Sequence, residues 1–262
     1  MEIGISTGCL YPELTEDAAL TLAKLGFKKI EIFFNTFSEL KADYLQKLKT
    51  DLSFYGTQVI SLHPFTSSFE SYLLFSGYER RFRDGVELYE NYFRTIRLLG
   101  GKYVILHGLR NDFLRACPEK LYFERFAVLA QTARQYNVTL LQENVYGHFA
   151  DNPQNIRRMI DAIPEDARFV CDTKQAIKSG FSPFEISSAM GERLCHVHIS
   201  DFVRGECRLP DNNGFDFKSF FNELNRQHYN GNIIIEVYRQ NFQAVSELVQ
   251  NKIYLEGIMP TK

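Results

Sequence analysis

The sequence predicts a closed (β/α)8 barrel, and three observations point to it. Short β-branched runs alternate with longer helical patterns from end to end, as repeated βα units around a parallel sheet require. Eight such units fit within 262 residues, the usual size of a closed barrel, whereas an open doubly wound sheet normally has fewer strands. The segment Ser6-Thr7-Gly8-Cys9 after the first strand is not the GxGxxG phosphate loop that such an open sheet would carry there.

In chain order the strands are expected at Glu2 to Ser6, Lys29 to Phe33, Gln58 to His63, Tyr103 to His107, Thr139 to Glu143, Arg168 to Asp172, Leu194 to Ile199 and Asn232 to Val237. The helices between them carry start and stop signals. Thr15 precedes Glu16-Asp17 as a cap with Gly26 beyond the end, Pro118 falls in a first turn, and Asn152-Pro153 reads as cap and first helical residue. Asp216 caps the seventh helix, and Gly231 follows it. The segment Ser71 to Leu99 is longer than the rest and contains Gly77 and Gly85, so it is expected to be a lid-like loop leading into a helix. No linker or low-complexity tract marks a boundary, and residues 1–262 read as one barrel domain.

A formal net charge of −2 argues against a protein held to nucleic acid through phosphates. The five cysteines are scattered and lack a CxxC pair, so neither a disulfide framework nor a thiolate zinc site is expected, and a reducing cytoplasm fits best. The first residues run straight into an apolar strand without a leader pattern, and no apolar run approaches the roughly 20 residues that span a bilayer. A homo-oligomer is expected only as the common habit of such enzymes.

In a barrel of this kind the active site is built at the C-terminal ends of the strands. Six consecutive strands end on an ionisable group: His63, His107, Glu143, Asp172, His198 and Glu236. One such group is unremarkable, but several carboxylates around one axis repel each other and lose hydration, which a divalent cation or shared protons must offset. Three carboxylates with imidazole suit Mn²⁺, Mg²⁺, Zn²⁺ or Co²⁺.

The strings Gln142-Glu143-Asn144, Cys171-Asp172-Thr173, His196-Val197-His198-Ile199-Ser200-Asp201 and Ile235-Glu236, in that order, resemble the xylose isomerase-like barrel superfamily. It holds isomerases and epimerases of sugars and sugar phosphates, together with apurinic-site endonucleases. The resemblance implies a divalent metal ion on Glu143, Asp172, His198 and Glu236, with Glu143 and Glu236 also acting as acid and base. The implied activity is isomerisation or epimerisation of a sugar or sugar phosphate through an enediolate, by proton transfer α to a carbonyl. This agrees with the chemistry of the residues, since that transfer needs a positioned base and stabilisation of the charge that forms.

One departure matters. Where the family often has Asp followed three residues later by His, this chain has Gln175, which can hydrogen-bond a sugar hydroxyl but is a poor zinc ligand. An endonuclease-like zinc phosphodiesterase is therefore the second reading, and a barrel that binds sugar without turnover the third. His63 and His107 are read as substrate contacts ahead of metal ligands, because four ligands already complete a mononuclear site. His196, two residues before His198, is read as a satisfied histidine one layer deeper. Glu31 either faces the pocket or forms a structural ion pair, and Asp201 orients a ligand or closes its loop. Arg204 and Arg208 lie in the loop after the seventh strand, where such barrels commonly bind phosphate, and Arg204 is taken as a substrate candidate. Phe33, Phe34, Phe65, Tyr146 and Tyr238 follow strand ends and are candidates for pocket walls.

Overall fold

The computed structural model describes residues 1–260. Eight parallel strands close into a barrel: β1 (Glu2–Ser6), β2 (Lys29–Phe33), β3 (Gln58–His63), β4 (Tyr103–Leu106), β5 (Thr139–Glu143), β6 (Phe169–Asp172), β7 (Leu194–Ile199) and β10 (Asn232–Ile235). Their order around the barrel is β1-β10-β7-β6-β5-β4-β3-β2, so each strand pairs with its sequence neighbours and β10 closes on β1. A short antiparallel hairpin, β8 (Asp201–Val203) with β9 (Glu206–Arg208), is inserted after β7.

Around the strands lie α1 (Thr15–Lys24), α2 (Ala42–Phe54), α3 (Glu70–Leu74), α4 (Glu79–Leu99), α5 (Glu119–Gln135), α6 (Pro153–Ala162), α7 (Thr173–Lys178), α8 (Pro183–Met190), α9 (Phe217–Arg226) and α10 (Ser246–Ile258). No helix among the described residues is long and apolar enough to cross a membrane. The cysteines are free, and four of the five are buried.

Side chains alternate across each strand, so every strand sends one set outward to the helices and the other into the barrel. The outward set builds the main core; Val104, Leu106, Leu140, Phe169, Cys171, Val197 and Ile233 belong to it. The inward set forms layers. Ile105, Leu141 and Val170 make a small separate apolar cluster inside the barrel, with Tyr103 and Cys195 packed against it. Gly4 also faces this interior, and a Cβ there would come within 2.7 Å of Ile234 Cδ1, so glycine lets that side chain fill the axis.

Local signals were read correctly at several ends. Asn152 caps α6 by accepting from Asn155 N, Pro153 is its first residue, and Asp216 caps α9 through Ser219 N. Thr15 is a correction. It is the first residue of α1 rather than its cap, and its hydroxyl donates to Glu39 Oε1 at 3.1 Å, a tertiary bond that outweighs the local one. Pro118 is a second correction: it stands one residue before α5, not in its first turn, and makes no side-chain cap bond. The segment after β3 holds the short α3 and then the 21-residue α4. Gly85 lies inside α4, where a Cβ would meet Leu74 Cδ2 at 2.7 Å, so this glycine serves close packing of α3 on α4.

Candidate active site

Two residues beyond the apolar cluster, β4, β5 and β6 each present their next inward side chain, and those are ionisable. His107 follows Ile105, Glu143 follows Leu141 and Asp172 follows Val170; on β3 and β7, Ser61 and His196 lie one layer below His63 and His198. His107 and Glu236 stand one residue past the assigned ends of β4 and β10, not within the strands as expected, because the ladder stops at Leu106 and Ile235.

Glu143 is the hub. Its Oε1 lies 3.2 Å from His198 Nδ1, and its Oε2 lies 3.2 Å from His107 Nε2 and 3.9 Å from His63 Nε2. The same His198 Nδ1 is 3.4 Å from Glu236 Oε2, while His198 Nε2 is 3.1 Å from Glu31 Oε2. Glu143, Asp172, His198 and Glu236 each offer an atom within 4.8 Å of the others, as do His63, His107 and Glu143, and Glu31, His196 and His198.

The polar residues flanking these groups explain their placement. Asn144 Nδ2 donates to Asp172 O, and Asp172 N donates back to Asn144 Oδ1. Thr173 repeats the device one strand further, donating to Ser200 O and accepting from Ser200 N. On the other side Gln142 Nε2 donates to His107 O at 2.7 Å and to Glu143 O at 2.8 Å, while Tyr122 Oη donates to Gln142 Oε1. Gly108 makes room for this clamp: its φ is +82°, and a Cβ would come within 2.4 Å of Gln142 Oε1. Side chains thus continue the sheet's hydrogen bonding past the strand ends and fix the angles at which the ionisable groups leave.

The residues fit a divalent cation. Glu143 Oε2 and Asp172 Oδ2 are buried and accept no hydrogen bond, which is costly for a carboxylate unless a cation faces it. Three carboxylates and one imidazole are the mixed donor set that hard and borderline divalent ions take. The electrostatics show the same demand for positive charge. Burial raises Asp172 to about 7, against the pull of Lys174. Burial also acts to raise Glu236, yet His198 and Lys174 outweigh it and hold that carboxyl at about 2. Burial works against a charge on His198, but Glu31, Glu236 and Glu143 together push it well above its ordinary value.

Solvent reaches two of the rim groups, Glu236 and His107, the latter with a side chain 21% exposed. The side chain of Glu236 is 18% exposed, whereas those of Glu143 and Asp172 are 2% and 0% exposed. A cavity of about 430 Å³ opens beside Glu236, walled by Tyr11, Phe33, Phe65 and Tyr238 with Asn35 as a polar contact. Phe34, in contrast, is fully buried in the core and is not among the walls of this cavity. Tyr146 borders a second cavity with His107 and His148.

The model of the family described as xylose isomerase-like TIM barrel matches residues 20–258. The chain belongs to this family. The xylose isomerase-like chain is 22% identical over 200 residues to the rhizopine catabolism protein MocC of Rhizobium meliloti, a match covering 64% of this chain and 61% of that protein's length. A D-tagatose 3-epimerase-like protein superposes with a TM-score of 0.80 at 18% identity, covering 98% of this chain and 97% of the other. The 3-keto-D-glucoside 4-epimerase YcjR from E. coli gives 0.76 at 18% identity, with 98% of each chain covered.

Within this xylose isomerase-like barrel, the remaining sequence candidates fall in different places. Gln175 borders a cavity of about 510 Å³ next to the centre, and its Oε1 accepts from Tyr146 N at 3.2 Å. Arg204 sits at the exposed tip of the β8–β9 hairpin with φ +53°, and Arg208 pairs with Glu206 at 3.3 Å. Asp201 closes its loop, accepting from Phe202 N and Phe215 N. Glu31 is an inward residue under His198, accepting from Ser61 Oγ at 2.7 Å; His196 is buried beside it with Nε2 3.2 Å from Ser61 Oγ, but its Nδ1 has no partner, so it is only half satisfied, against expectation. Lys174 was missed altogether. It is buried, with Nζ 3.7 Å from both Asp172 Oδ2 and Glu236 Oε2. Its one sequence signal is a cation two residues beyond a strand-end aspartate.

Proposed function

We propose that the chain is a divalent-metal-dependent isomerase or epimerase acting on a ketose, sugar phosphate or related polyol, by proton transfer at the carbon α to a carbonyl. The observation that carries this reading is the approach of two glutamates to one imidazole nitrogen: Glu143 Oε1 at 3.2 Å and Glu236 Oε2 at 3.4 Å from His198 Nδ1. They come from the two ends of an arc of four neighbouring strands, β5, β6, β7 and β10. The epimerase names of the two structural neighbours lend support.

Glu143, Asp172, His198 and Glu236 would hold the ion. When bound, it would neutralise the carboxylates and stabilise negative charge on the substrate's oxygens. Glu236, ionised and facing the aromatic cavity, takes the proton from one face of the substrate, and Glu143 returns one to the other. His198 is oriented by Glu31 on its far nitrogen. His63 and His107 meet substrate hydroxyls, and the rings of Phe33, Phe65 and Tyr238 exclude water and pack on the sugar's C–H face.

The test is incubation of metal-stripped and metal-reloaded protein with a panel of ketoses and their phosphates in D₂O. Deuterium entering one carbon α to the carbonyl, only after reloading, is the expected result. Undiminished exchange after exhaustive chelation removes the metal dependence. Metal retained with no exchange on any sugar favours a binding barrel without turnover.

One observation favours a second reading. His63, His107 and Glu143 form another donor group that shares Glu143 with the first, the layout of a two-ion centre for phosphodiester cleavage. The formal charge of −2 works against a nucleic-acid substrate. Two or more ions per chain by elemental analysis, with cleavage of an abasic duplex, would establish this alternative.

A further inference from the structure

Lys174 places its amine where the proposed metal ligands face a positive charge. Its side chain is 6% exposed, and Nζ lies 3.7 Å from Asp172 Oδ2 and 3.7 Å from Glu236 Oε2. Neither contact is short enough for a hydrogen bond, so the ammonium stands between the two carboxylates without being committed to either. Asp172 Oδ2 keeps no other partner. On its far side the amine lies 4.9 Å from the ring of Tyr238, a cation–π contact, and both residues border the cavity of about 510 Å³.

We propose that Lys174 is a built-in cation that shares Asp172 and Glu236 with the divalent ion, and thereby sets how tightly the centre holds its metal. The inference rests on the metal-centre reading above. Two like charges drawn to the same pair of carboxylates in a buried site repel, and low local screening makes that repulsion strong. With the lysine present, the centre is partly neutralised before any ion arrives, so the ion gains less on entry. The consequence is a metal that exchanges readily with solvent rather than a locked one. Lys174 thus acts on the ion through the ligands, as a positioning residue for charge.

The experiment is Mn²⁺ titration by calorimetry and electron paramagnetic resonance at pH 8, on the full chain stripped of metal and on Lys174→Met, Lys174→Gln and Lys174→Arg. Circular dichroism checks the fold of each. The neutral variants should bind Mn²⁺ at least about tenfold more tightly, while the arginine variant stays within about threefold of the parent. Neutral variants that bind no more tightly than the parent overturn the proposal and leave the metal centre standing. No Mn²⁺ binding by any of the proteins removes the metal centre and the proposal together. Should the neutral variants not fold, carbon-13 lysine spectra of the parent under Mg²⁺ titration decide. A buried lysine signal, absent from Lys174→Arg, that moves in step with binding supports the proposal, and one that stays still overturns it.

Discussion

Asn144 and Asp172 exchange two hydrogen bonds: Asn144 Nδ2 donates to Asp172 O at 3.0 Å, and Asp172 N donates to Asn144 Oδ1 at 2.7 Å. The amide mimics a strand residue and carries the β5–β6 ladder to the point where Asp172 turns inward. Both bonds are buried. Asn144→Ala leaves a carbonyl and an amide unpaired, so about 2–4 kcal/mol of stability should be lost in urea unfolding. Divalent affinity should fall about 10–100-fold, since Asp172 loses its support. Unchanged metal binding in a folded Asn144→Ala protein would show that Asn144 does not position Asp172 for the metal.

Glu236→Gln keeps the shape of the most exposed of the four groups and removes its charge. Turnover on the substrate found in the D₂O screen should fall about 10²–10⁴-fold, while the near-ultraviolet dichroism stays that of the parent. Activity within a few-fold of the parent would rule out Glu236 as the base.

Chelation should also register in stability. A ligand bound only by the folded chain at a hundred times its dissociation constant adds about 2.7 kcal/mol. For a protein of this size that is roughly 5–10 °C in Tm. Scanning calorimetry with EDTA and then with excess Mn²⁺ should show this difference, and superimposable scans would contradict a resident ion.

Behind His107, Glu70 gives a pH signature. Burial raises its carboxyl to about 7, although His107 and the bonds from Tyr89 Oη and Gly108 N act to lower it. The folded chain therefore holds this proton where the unfolded chain, with an ordinary value near 4.5, has released it. The resulting penalty is absent below about pH 4.5, grows as pH rises, and is complete above about 7. Glu70→Gln can still accept from Gly108 N and donate to Tyr89 Oη. Its stability relative to the parent should rise by at most about 3 kcal/mol between pH 4.5 and 8, measured by urea unfolding at several pH values. A difference that does not change with pH would refute the raised carboxyl.

The strands were legible because β-branched runs bounded by turn residues have few other uses. Ile3, Ile5, Val104, Leu140 and Ile233 sit where the pattern put them. The rim groups were legible for a geometric reason, since the end of a barrel strand fixes where a side chain points. The β8–β9 hairpin was not, because Asp201-Phe202-Val203 and Glu206-Cys207-Arg208 are short and charged and read as loop. Thr15 misled because its hydroxyl serves a residue 24 positions away. Asn144 and Thr173 were visible as parts of motifs, but their use as clamps depends on which backbone lies alongside. Lys174 stayed hidden because nothing in a six-residue helix tells that its second side chain turns in toward two carboxylates.

The docking of the last barrel strand on β7 governs when the proposed ligands come together. The four proposed ligands are drawn from positions 143 to 236, and β10 must dock on β7 before Glu236 reaches His198. Contacts so distant in sequence form late in folding. On the proposed metal-centre reading, a chain whose β10 has not docked lacks the fourth ligand, and saturable metal uptake would report the moment that strand joins β7.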